Sequence, residues 1–414
     1  MDLIIGAGIT GLSYAAFCGH TDYLLLEQST EIGGYCKTTR RNGYVWDYSG
    51  HFFHFTDPLI KDIVMGGMDK ASLVEVTKNT AIHYHDRRID YPFQKNIHQL
   101  AKQEFIDCLY DLFTTSAEDY ATFKEMLYVK FGQAIADKFL IPYNTKLYAC
   151  DLDTLDKDAM GRFFPYAEKE EIVRNFKQEH DSSYNATFVY PLEGAIAYIH
   201  SMMRHVKKEQ VRLNCSVKSI DLQRQIVVTN SGEIIHYDRL VSTIPFPRLL
   251  QLANIAYDKT IYNWNKVLVF NLGFDTGGND NQTHWLYFPE EKYCFYRVGF
   301  YSNILSSEKL SLYVELGFKK DEAIVPEDWL NIVLHDLKQA GIVSEAQQLV
   351  DYESIVMNPA YVHINAASVA DVAHRKDVLA ENGVYSIGRY GSWTYCSIED
   401  NVKEAKALAQ QLNP

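Results

Sequence analysis

A glycine-rich turn between a strand and a helix constrains this chain more than any other feature. The opening residues DLIIGAGITGLSYAAF place Gly6, Gly8 and Gly11 between an apolar run and a helix of small residues, and a second apolar run ends at Glu27. In such a turn the first glycine permits tight folding, the second lets the backbone approach a pyrophosphate, and the third allows close helix–strand packing. The acid, about twenty residues on, suits a ribose hydroxyl. The sequence therefore predicts a Rossmann-like dinucleotide-binding unit, with phosphates at the helix N-terminus.

Size, charge and cysteine usage limit the remaining possibilities. A chain of 414 residues predicts two or three lobes, and a net charge of −13 argues against a nucleic-acid partner but permits a local basic pocket for an anionic small molecule. No apolar run reaches the roughly 20 residues of a membrane span, and the first strand leaves no room for a signal peptide. Seven scattered cysteines without a CxxC pair fit a reducing compartment, and the histidines show no metal spacing. We expect a cytoplasmic protein with no membrane or metal partner.

Patterning along the chain predicts how the lobes are arranged. Apolar residues at three-and-four spacing indicate a helical lobe, and period-two runs from Lys266 to Phe318 indicate an antiparallel meander. A strand near Val217 and a turn at Ser231 and Gly232 indicate a hairpin. The predicted α/β fold has a discontinuous nucleotide-binding domain into which the other lobes are inserted. The predicted ranges are 1–60, 185–250 and 378–414 for that domain, 97–180 for the helical lobe, and 61–96 with 251–377 for a β-sheet substrate lobe.

The segment after Glu27 resembles the extended fingerprint of the FAD-binding amine oxidase and mutase superfamily. Its second glycine pair, Gly33 and Gly34, is followed by Thr38 in EIGGYCKTTRRNGYVWDYSGHFFHF. In that superfamily this loop covers the cofactor pyrophosphate, and the segment containing Val217 closes the adenine side. The resemblance implies a glutathione-reductase-type FAD domain. No second GxGxxG is visible for a dedicated NAD(P)H site.

Six motifs in order resemble the UDP-galactopyranose mutase family. They are VWDYSGHFFHF, DYPFQKNIHQL, IPYNTKLYACD, NATFVYP, HWLYFPEEKYCFYRVGFYSN and GRYGSWTYCSIED. That family interconverts UDP-galactopyranose and UDP-galactofuranose for cell-surface polysaccharide, by attack of reduced flavin N5 on the anomeric carbon with UDP leaving. The resemblance implies reduced FAD as cofactor, NAD(P)H as external reductant and a UDP-sugar substrate, and it leaves a homo-oligomer open.

The resemblance also assigns residues to the site. His51 would lie beside the flavin with the carbonyl of Gly50 facing N5, and Arg297 and Arg389 would bracket the diphosphate. Arg162 would be a third active-site arginine, on a match whose register shifts by one residue. Further cofactor contacts would come from Gly388 and from Ser397 at a predicted helix start. Substrate contacts would come from Tyr91, Phe93, Gln94, Asn144, Tyr148, Asn185, Tyr287, Tyr361 and Tyr395.

Other interpretations remain open at this stage. The chain departs from the family at Tyr148, where a Trp is usual, and near SIEDN and PLEGAIAY, so a related sugar such as arabinose or N-acetylgalactosamine is compatible. An FAD-dependent amine oxidase, protoporphyrinogen oxidase or desaturase would share the nucleotide-binding segments but would not explain the arginines and tyrosines of the phosphate cage. A catalytically silent flavoprotein is a third class. Arg297 could instead pair with an acid on the sheet surface, and Cys396 is interpreted as a packing residue.

Overall fold

Strands and helices alternate along most of the chain. The computed structural model describes residues 1–115, 119–177 and 187–413. The strands are β1 (Asp2–Ile5), β2 (Tyr23–Leu26), β3 (Thr38–Arg41), β4 (Tyr44–Asp47), β5 (Leu73–Thr77), β6 (Thr80–Tyr84), β7 (Arg87–Asp90), β8 (Thr187–Pro191), β9 (Val211–Arg212), β10 (Val217–Asp221), β11 (Ile226–Thr229), β12 (Ile234–His236), β13 (Arg239–Ser242), β14 (Asn263–Phe274), β15 (Trp285–Tyr287), β16 (Arg297–Phe300), β17 (Ser311–Lys319), β18 (Leu349–Met357), β19 (Val362–His363) and β20 (Val384–Ser386). The helices are α1 (Ile9–Phe17), α2 (Pro58–Met65), α3 (Lys102–Thr114), α4 (Phe123–Phe131), α5 (Gln133–Ile135), α6 (Ile141–Tyr148), α7 (Lys169–Asn175), α8 (Ile196–Met203), α9 (Phe246–Leu252), α10 (Tyr301–Ile304), α11 (Pro326–Gln339), α12 (Ala366–Glu381), α13 (Gly388–Gly391) and α14 (Ile398–Leu412).

A parallel sheet of order β20-β13-β1-β2-β9 forms the first part of the fold. Because both faces of this sheet are covered, β1 is buried along its whole length. Its sequence is accordingly almost entirely apolar. Ile4 faces the core shared with α1, α8 and α14, whereas Leu3 and Ile5 face the core shared with α9 and α12. The hairpin predicted at Ser231 and Gly232 is confirmed, because β11 and β12 pair antiparallel across that turn.

A largely antiparallel sheet forms the second part of the fold, in the order β18-β14-β17-β16-β15-β6-β7 with β19 paired to β14. Within it, β15 and β6 pair parallel. The predicted meander is only partly right. Strands β15, β16 and β17 follow one another as a meander, but β14 pairs with β17 and β18 instead of β15. Period-two patterning identifies a strand but does not choose its neighbour, which here is set by long-range packing.

A helical region forms the third part. It contains α3, α4, the continuous run from α5 through a π-helical turn at Ala136–Leu140 into α6, and α7. These helices pack around an apolar core that they share with β6 and β7. The main chain of α6 lies so close to β17 that a Cβ at Gly317 would collide with the carbonyl oxygen of Lys146. The predicted fold class is therefore confirmed: an α/β protein with a Rossmann-like domain, a helical lobe and an antiparallel sheet lobe. Among the described residues, no helix is long and apolar enough to cross a membrane.

Candidate active site

A cavity of about 880 Å³ lies where the parallel sheet meets the antiparallel sheet. Ile5, Leu26 and Thr243 reach it from the carboxyl ends of β1, β2 and β13. Ligands of open parallel sheets bind at these ends, because the loops that follow the strands converge there. The opposite wall carries polar and aromatic side chains of the antiparallel sheet, including Tyr287 and Arg297.

The first glycine turn has the geometry that its sequence predicts. Gly6 has a φ of +102°, and a Cβ there would collide with the hydroxyl of Thr243, so only glycine fits. Gly11 lies against the carbonyl of Gly6, behind the cavity wall, whereas Gly6 and Gly8 line the cavity. The carboxylate of Glu27 accepts hydrogen bonds from the amides of Ala7 and Ser29, each at 2.8 Å, and borders the same space.

The second glycine loop packs directly on the first. The amide of Gly33 donates to the carbonyl of Ala7 at 2.9 Å, and a Cβ at Gly34 would lie 3.4 Å from the Cα of Gly8. Together these loops give the cavity a wall of bare backbone, which a diphosphate can approach closely. Val217 borders the cavity from the hairpin side. Thr38 lies outside it, where its hydroxyl bonds to Asp47 and accepts the amide of Ile196.

The cavity also borders the start of α14. Ser397 is the N-cap of this helix: its hydroxyl accepts the amide of Asp400 at 3.1 Å, as its sequence predicts. The side-chain oxygen of Asn401 accepts from the hydroxyl of Thr10 at 2.9 Å and from the amide of Arg389 at 2.8 Å. The first turn of α14 is therefore tied both to α1 and to the backbone of Arg389. Helix N-termini of this kind favour anionic ligands.

Arg389 is a cation surrounded by tyrosines. Its guanidinium carbon lies 4.6 Å from the ring centre of Tyr395, 5.2 Å from that of Tyr361 and 5.8 Å from that of Tyr390. Within the described part of the chain, no carboxylate lies at ion-pair distance from Arg389, and its Nε has no hydrogen-bond partner. Burial opposes the charge, but the surrounding hydroxyls leave the pKa of Arg389 raised. The site thus presents an unneutralised cation to the cavity. Gly388, the residue before Arg389, has a φ of +84° and does not line the cavity.

Arg297 has different surroundings. Its Nε donates to the carboxylate of Glu315, which is 1% exposed and also accepts the hydroxyl of Ser49. Arg297 therefore has an acidic partner on the sheet, but this acid is buried and does not lie on the sheet surface, where the alternative placed it. Burial opposes its charge, but Glu315 leaves the pKa of Arg297 well above its usual value. Tyr287 faces Arg297 directly across the β15–β16 pair, and both line the cavity.

His51 and Gly50 lie on the cavity wall that follows β4. Burial lowers the pKa of His51 to about 4, with Arg389 contributing, so the imidazole is neutral at neutral pH. Among the described residues, its Nδ1 has no hydrogen-bond partner. A Cβ at Gly50 would collide with the hydroxyl of Tyr313, so this backbone passes unusually close to the sheet.

The remaining predicted residues lie beside the cavity or farther from it. Tyr91 packs on Tyr287 with ring centres 4.9 Å apart, and Tyr148 packs on Tyr361 at 5.8 Å. Phe93, Gln94 and Asn144 are buried within the helical lobe and do not line the cavity. Asn185 lies outside the described residues.

Arg162 lies on the short helical turn Gly161–Phe163, away from the cavity lining. Its guanidinium donates to both carboxylate oxygens of Asp400 at 2.7 Å, and its side chain is 52% exposed. Its neighbour Phe163 lines the cavity and packs edge-on against Tyr395. The pair between Arg162 and Asp400 therefore joins the helical lobe to the start of α14.

Sequence reasoning missed several cavity residues. Glu315, Tyr296, Ser49 and Lys78 all line the cavity. Glu315 could have been noticed, since it is the one acid in the apolar strand SLYVELGF. The sequence does not identify Tyr296, because what distinguishes it is a buried hydroxyl without a hydrogen-bond partner in the described structure, and no local pattern predicts that. No group of three His, Cys, Asp or Glu residues in the described ranges is placed to hold a metal ion.

Comparison with known proteins defines the class first. Residues 4–65 match the family model of the NAD(P)-binding Rossmann-like domain, so this part of the chain is similar to a Rossmann-like nucleotide-binding unit. The whole chain has the fold of UDP-galactopyranose mutase: the crystal structure of the reduced enzyme superposes with a TM-score of 0.92 at 24% identity, covering 99% of this chain and 93% of that one. The resemblance predicted from the six motifs is thereby confirmed at the level of the fold.

Two oxidase-type proteins are also similar. A protein from Exiguobacterium sp. 255-15, assigned as a protoporphyrinogen oxidase, superposes with a TM-score of 0.79 at 16% identity, covering 100% of this chain and 98% of that one. The coproporphyrinogen III oxidase of Staphylococcus aureus (strain NCTC 8325 / PS 47) is 25% identical over 285 residues, which are 58% of this chain and 60% of that protein. The match thus spans less than two thirds of this curated relative.

Proposed function

We propose that this chain is an FAD-dependent mutase that interconverts UDP-galactopyranose and UDP-galactofuranose, or a closely related UDP-sugar. The observation that carries the proposal is the unneutralised Arg389 within its ring of tyrosines. Arg389 is half-buried, and a cation that is partly removed from water without an acidic partner is costly unless an anion binds it. A planar guanidinium flanked by phenol donors suits a diphosphate, since it can pair with two phosphate oxygens at once.

The residues on the other side of the cavity fit FAD. Gly8, Gly33 and Gly34 would receive its pyrophosphate, and Glu27 would accept its ribose hydroxyl. Gly50, His51 and Ser397 would lie along its isoalloxazine ring. When bound and reduced, FAD supplies a nucleophilic nitrogen for the anomeric carbon of the sugar.

The protein's own groups would then bind and retain UDP. Arg389 and Arg297 would hold the diphosphate oxygens, with Tyr287, Tyr361 and Tyr395 as hydrogen-bond donors that add no charge. Neutral His51 would fill the space beside the flavin without repelling the arginines. Arg162 would act only after its pair with Asp400 opens. NAD(P)H as reductant, a cytoplasmic location and a role in cell-surface polysaccharide belong to the same proposal, as does any homo-oligomer.

The decisive experiment compares redox states. Purified protein should have a flavin absorbance spectrum that dithionite bleaches. The reduced protein should convert UDP-galactofuranose to the pyranose with no net oxidation, as measured by chromatography of the two UDP-sugars. Turnover only in the oxidised state, with oxygen consumed and peroxide released, would contradict the mutase proposal.

A porphyrinogen oxidase is the second candidate, and the similarity to the Staphylococcus aureus coproporphyrinogen III oxidase favours it. Carboxylates on such a substrate could also pair with Arg389. The two functions differ in their response to UDP. A mutase should bind UDP and gain thermal stability from it, whereas an oxidase should respond to porphyrinogens and not to UDP.

A further inference from the structure

The side chain of Lys146, on α6, donates hydrogen bonds to the main-chain carbonyls of a loop in the sheet lobe. Its ammonium nitrogen lies 3.0 Å from the carbonyl oxygens of Phe288 and Glu290, 2.8 Å from that of Tyr293 and 2.6 Å from that of Phe295. An ammonium has three N–H donors, so these four oxygens share them. Within the described residues no carboxylate is at ion-pair distance, so Lys146 is committed to the loop backbone.

The loop that Lys146 holds, residues 288–296, joins two cavity residues. Tyr287 ends β15 before it, Arg297 begins β16 after it, and the two face each other across the strand pair. Any change in the loop backbone is therefore transmitted to both. The amide of Phe288 donates to the carbonyl of Tyr296 at 2.9 Å, which closes the base of the loop beside this pair.

A second contact from the same helix reinforces the arrangement. Tyr143, one turn before Lys146, packs its ring 5.1 Å from that of Tyr287 and 6.2 Å from that of Tyr296. Helix α6 thus makes two kinds of contact with the loop. The ammonium of Lys146 binds the carbonyls of the loop, and the ring of Tyr143 packs against the tyrosines at the two ends of the loop. On the far side, Phe288, Tyr293 and Phe295 pack on one another. The amide of Cys294 also donates to the carboxylate of Asp336 at 2.7 Å, and Glu290 lies 3.2 Å from the imidazole of His85.

We propose that Lys146 is a positioning residue that sets the separation of Tyr287 and Arg297 in the cavity by binding the carbonyls of the 288–296 loop. A compact, strongly solvated ammonium enters such a site only if several oxygens replace its water. Four carbonyls do so here. The consequence for ligand binding rests on the proposed function, since it assumes that these two residues bind the UDP diphosphate.

The test is the substitution Lys146→Met, which keeps the length of the side chain and removes its charge and donors. We expect the variant to fold and to retain flavin. Its UDP affinity should fall about tenfold, within the range of coupling between residues in contact. Hydrogen exchange of the 288–296 peptide should accelerate in the absence of UDP. Lys138→Met is the matched control, because Lys138 lies on the same lobe and pairs with Glu104 at 3.2 Å, away from the loop; its UDP affinity should stay within about twofold of the wild-type value.

A double-variant measurement separates positioning from general stabilisation. In an Arg297→Ala, Glu315→Gln background, adding Lys146→Met should weaken UDP binding less than about twofold, because Arg297, one of the two residues whose separation Lys146 sets, is gone. An equal loss in both backgrounds would overturn the proposal, as would normal UDP affinity of the single variant with only a lowered Tm. If Lys146→Met does not fold, Lys146→Gln, which keeps two donors, is measured by the same criteria. Wild-type protein that binds no UDP would refute the proposed function. Hydrogen exchange of the 288–296 loop would still test whether Lys146 holds that loop.

Discussion

Arg389 and Arg297 bring the same charge to the cavity but have different neighbours. Arg297 is neutralised by Glu315, whereas the described structure gives Arg389 only tyrosine rings and a carbonyl 3.4 Å away. The charge of Arg297 is already neutralised by Glu315. We therefore infer that Arg389 provides most of the attraction for an anion. The two arginines should therefore respond differently to substitution.

For Arg389→Ala we expect a loss of UDP affinity of about 1.5–3 kcal/mol, the scale of hydrogen bonds to charged groups. Thermal stability should change little, since no buried carboxylate loses its partner. Isothermal titration calorimetry with UDP measures the first effect and a melting curve the second. Arg40→Ala, at an exposed arginine 3.6 Å from Glu193, is the control and should leave UDP affinity unchanged. Unaltered affinity in Arg389→Ala would remove the central support for a diphosphate site.

For Arg297→Ala we expect a large loss of stability in addition to weaker UDP binding. The substitution leaves Glu315 buried without its cation, which costs about 3–5 kcal/mol in the free energy of unfolding. Adding Glu315→Gln should restore most of this stability but not the UDP affinity. Urea unfolding of both variants checks the expectation, and a double variant as unstable as the single one would contradict it.

These two residues also mark what could be predicted from sequence. Arg297 and Arg389 could be proposed from sequence because each lies in a local motif whose residues are adjacent in the chain, and both line the cavity. Glu315 was missed because its pairing with Arg297 depends on the register of β16 against β17. The placement of Phe93 and Gln94 inside the helical core, away from the cavity lining, likewise depends on tertiary packing that no local pattern encodes.

At the scale of elements, the start of α14 combines a stabilising cap with a place on the cavity wall. Its capping box, Ser397 with Asp400, has a counterpart in α4, where Thr122 and Glu125 form the same reciprocal bonds far from the cavity. The local signals for both helix starts are readable from sequence. The position of β14 beside β17 is not, since it joins strands separated by two others along the chain.

We predict that Ser397→Ala and Thr122→Ala each lower the free energy of unfolding by about 0.5–2 kcal/mol, the usual cost of losing an N-cap. Only Ser397→Ala should weaken flavin binding, because only α14 begins at the cavity. Urea unfolding and fluorescence titration of apoprotein with FAD measure the two quantities. Equal flavin affinity in the two variants would place the start of α14 outside the cofactor site.

At the scale of the whole molecule, buried histidines couple folding to pH. Burial lowers the pKa values of His51, His54 and His363 to about 4. Between their ordinary pKa and this value the unfolded chain binds more protons than the folded protein, so acid favours unfolding. Asp47 acts in the opposite sense, because burial raises its pKa to about 6 and the folded state binds the extra proton. Burial also lowers the pKa values of His83 and His284, so the histidines together outweigh Asp47 and acid lowers the stability of the fold.

We therefore expect the free energy of unfolding to fall as the pH is lowered from about 6.5 to about 4. Urea unfolding at several pH values measures the slope. His363→Gln should flatten it, since His363 is 3% exposed and lies outside the cavity lining. Stability that is constant or rises over this interval would contradict the assignment of these groups as neutral.

The hydrogen bond between Thr10 and Asn401 has a consequence for how the protein is made. The two residues are 391 positions apart in the chain. At about 5–20 residues per second, a ribosome synthesises Asn401 roughly 20–80 s after Thr10. The first glycine turn can fold early with its neighbouring strands, but the wall that α14 provides cannot exist until then. During synthesis the nascent chain therefore exposes an incomplete cavity, and we expect the proposed FAD to bind only after α14 has been synthesised.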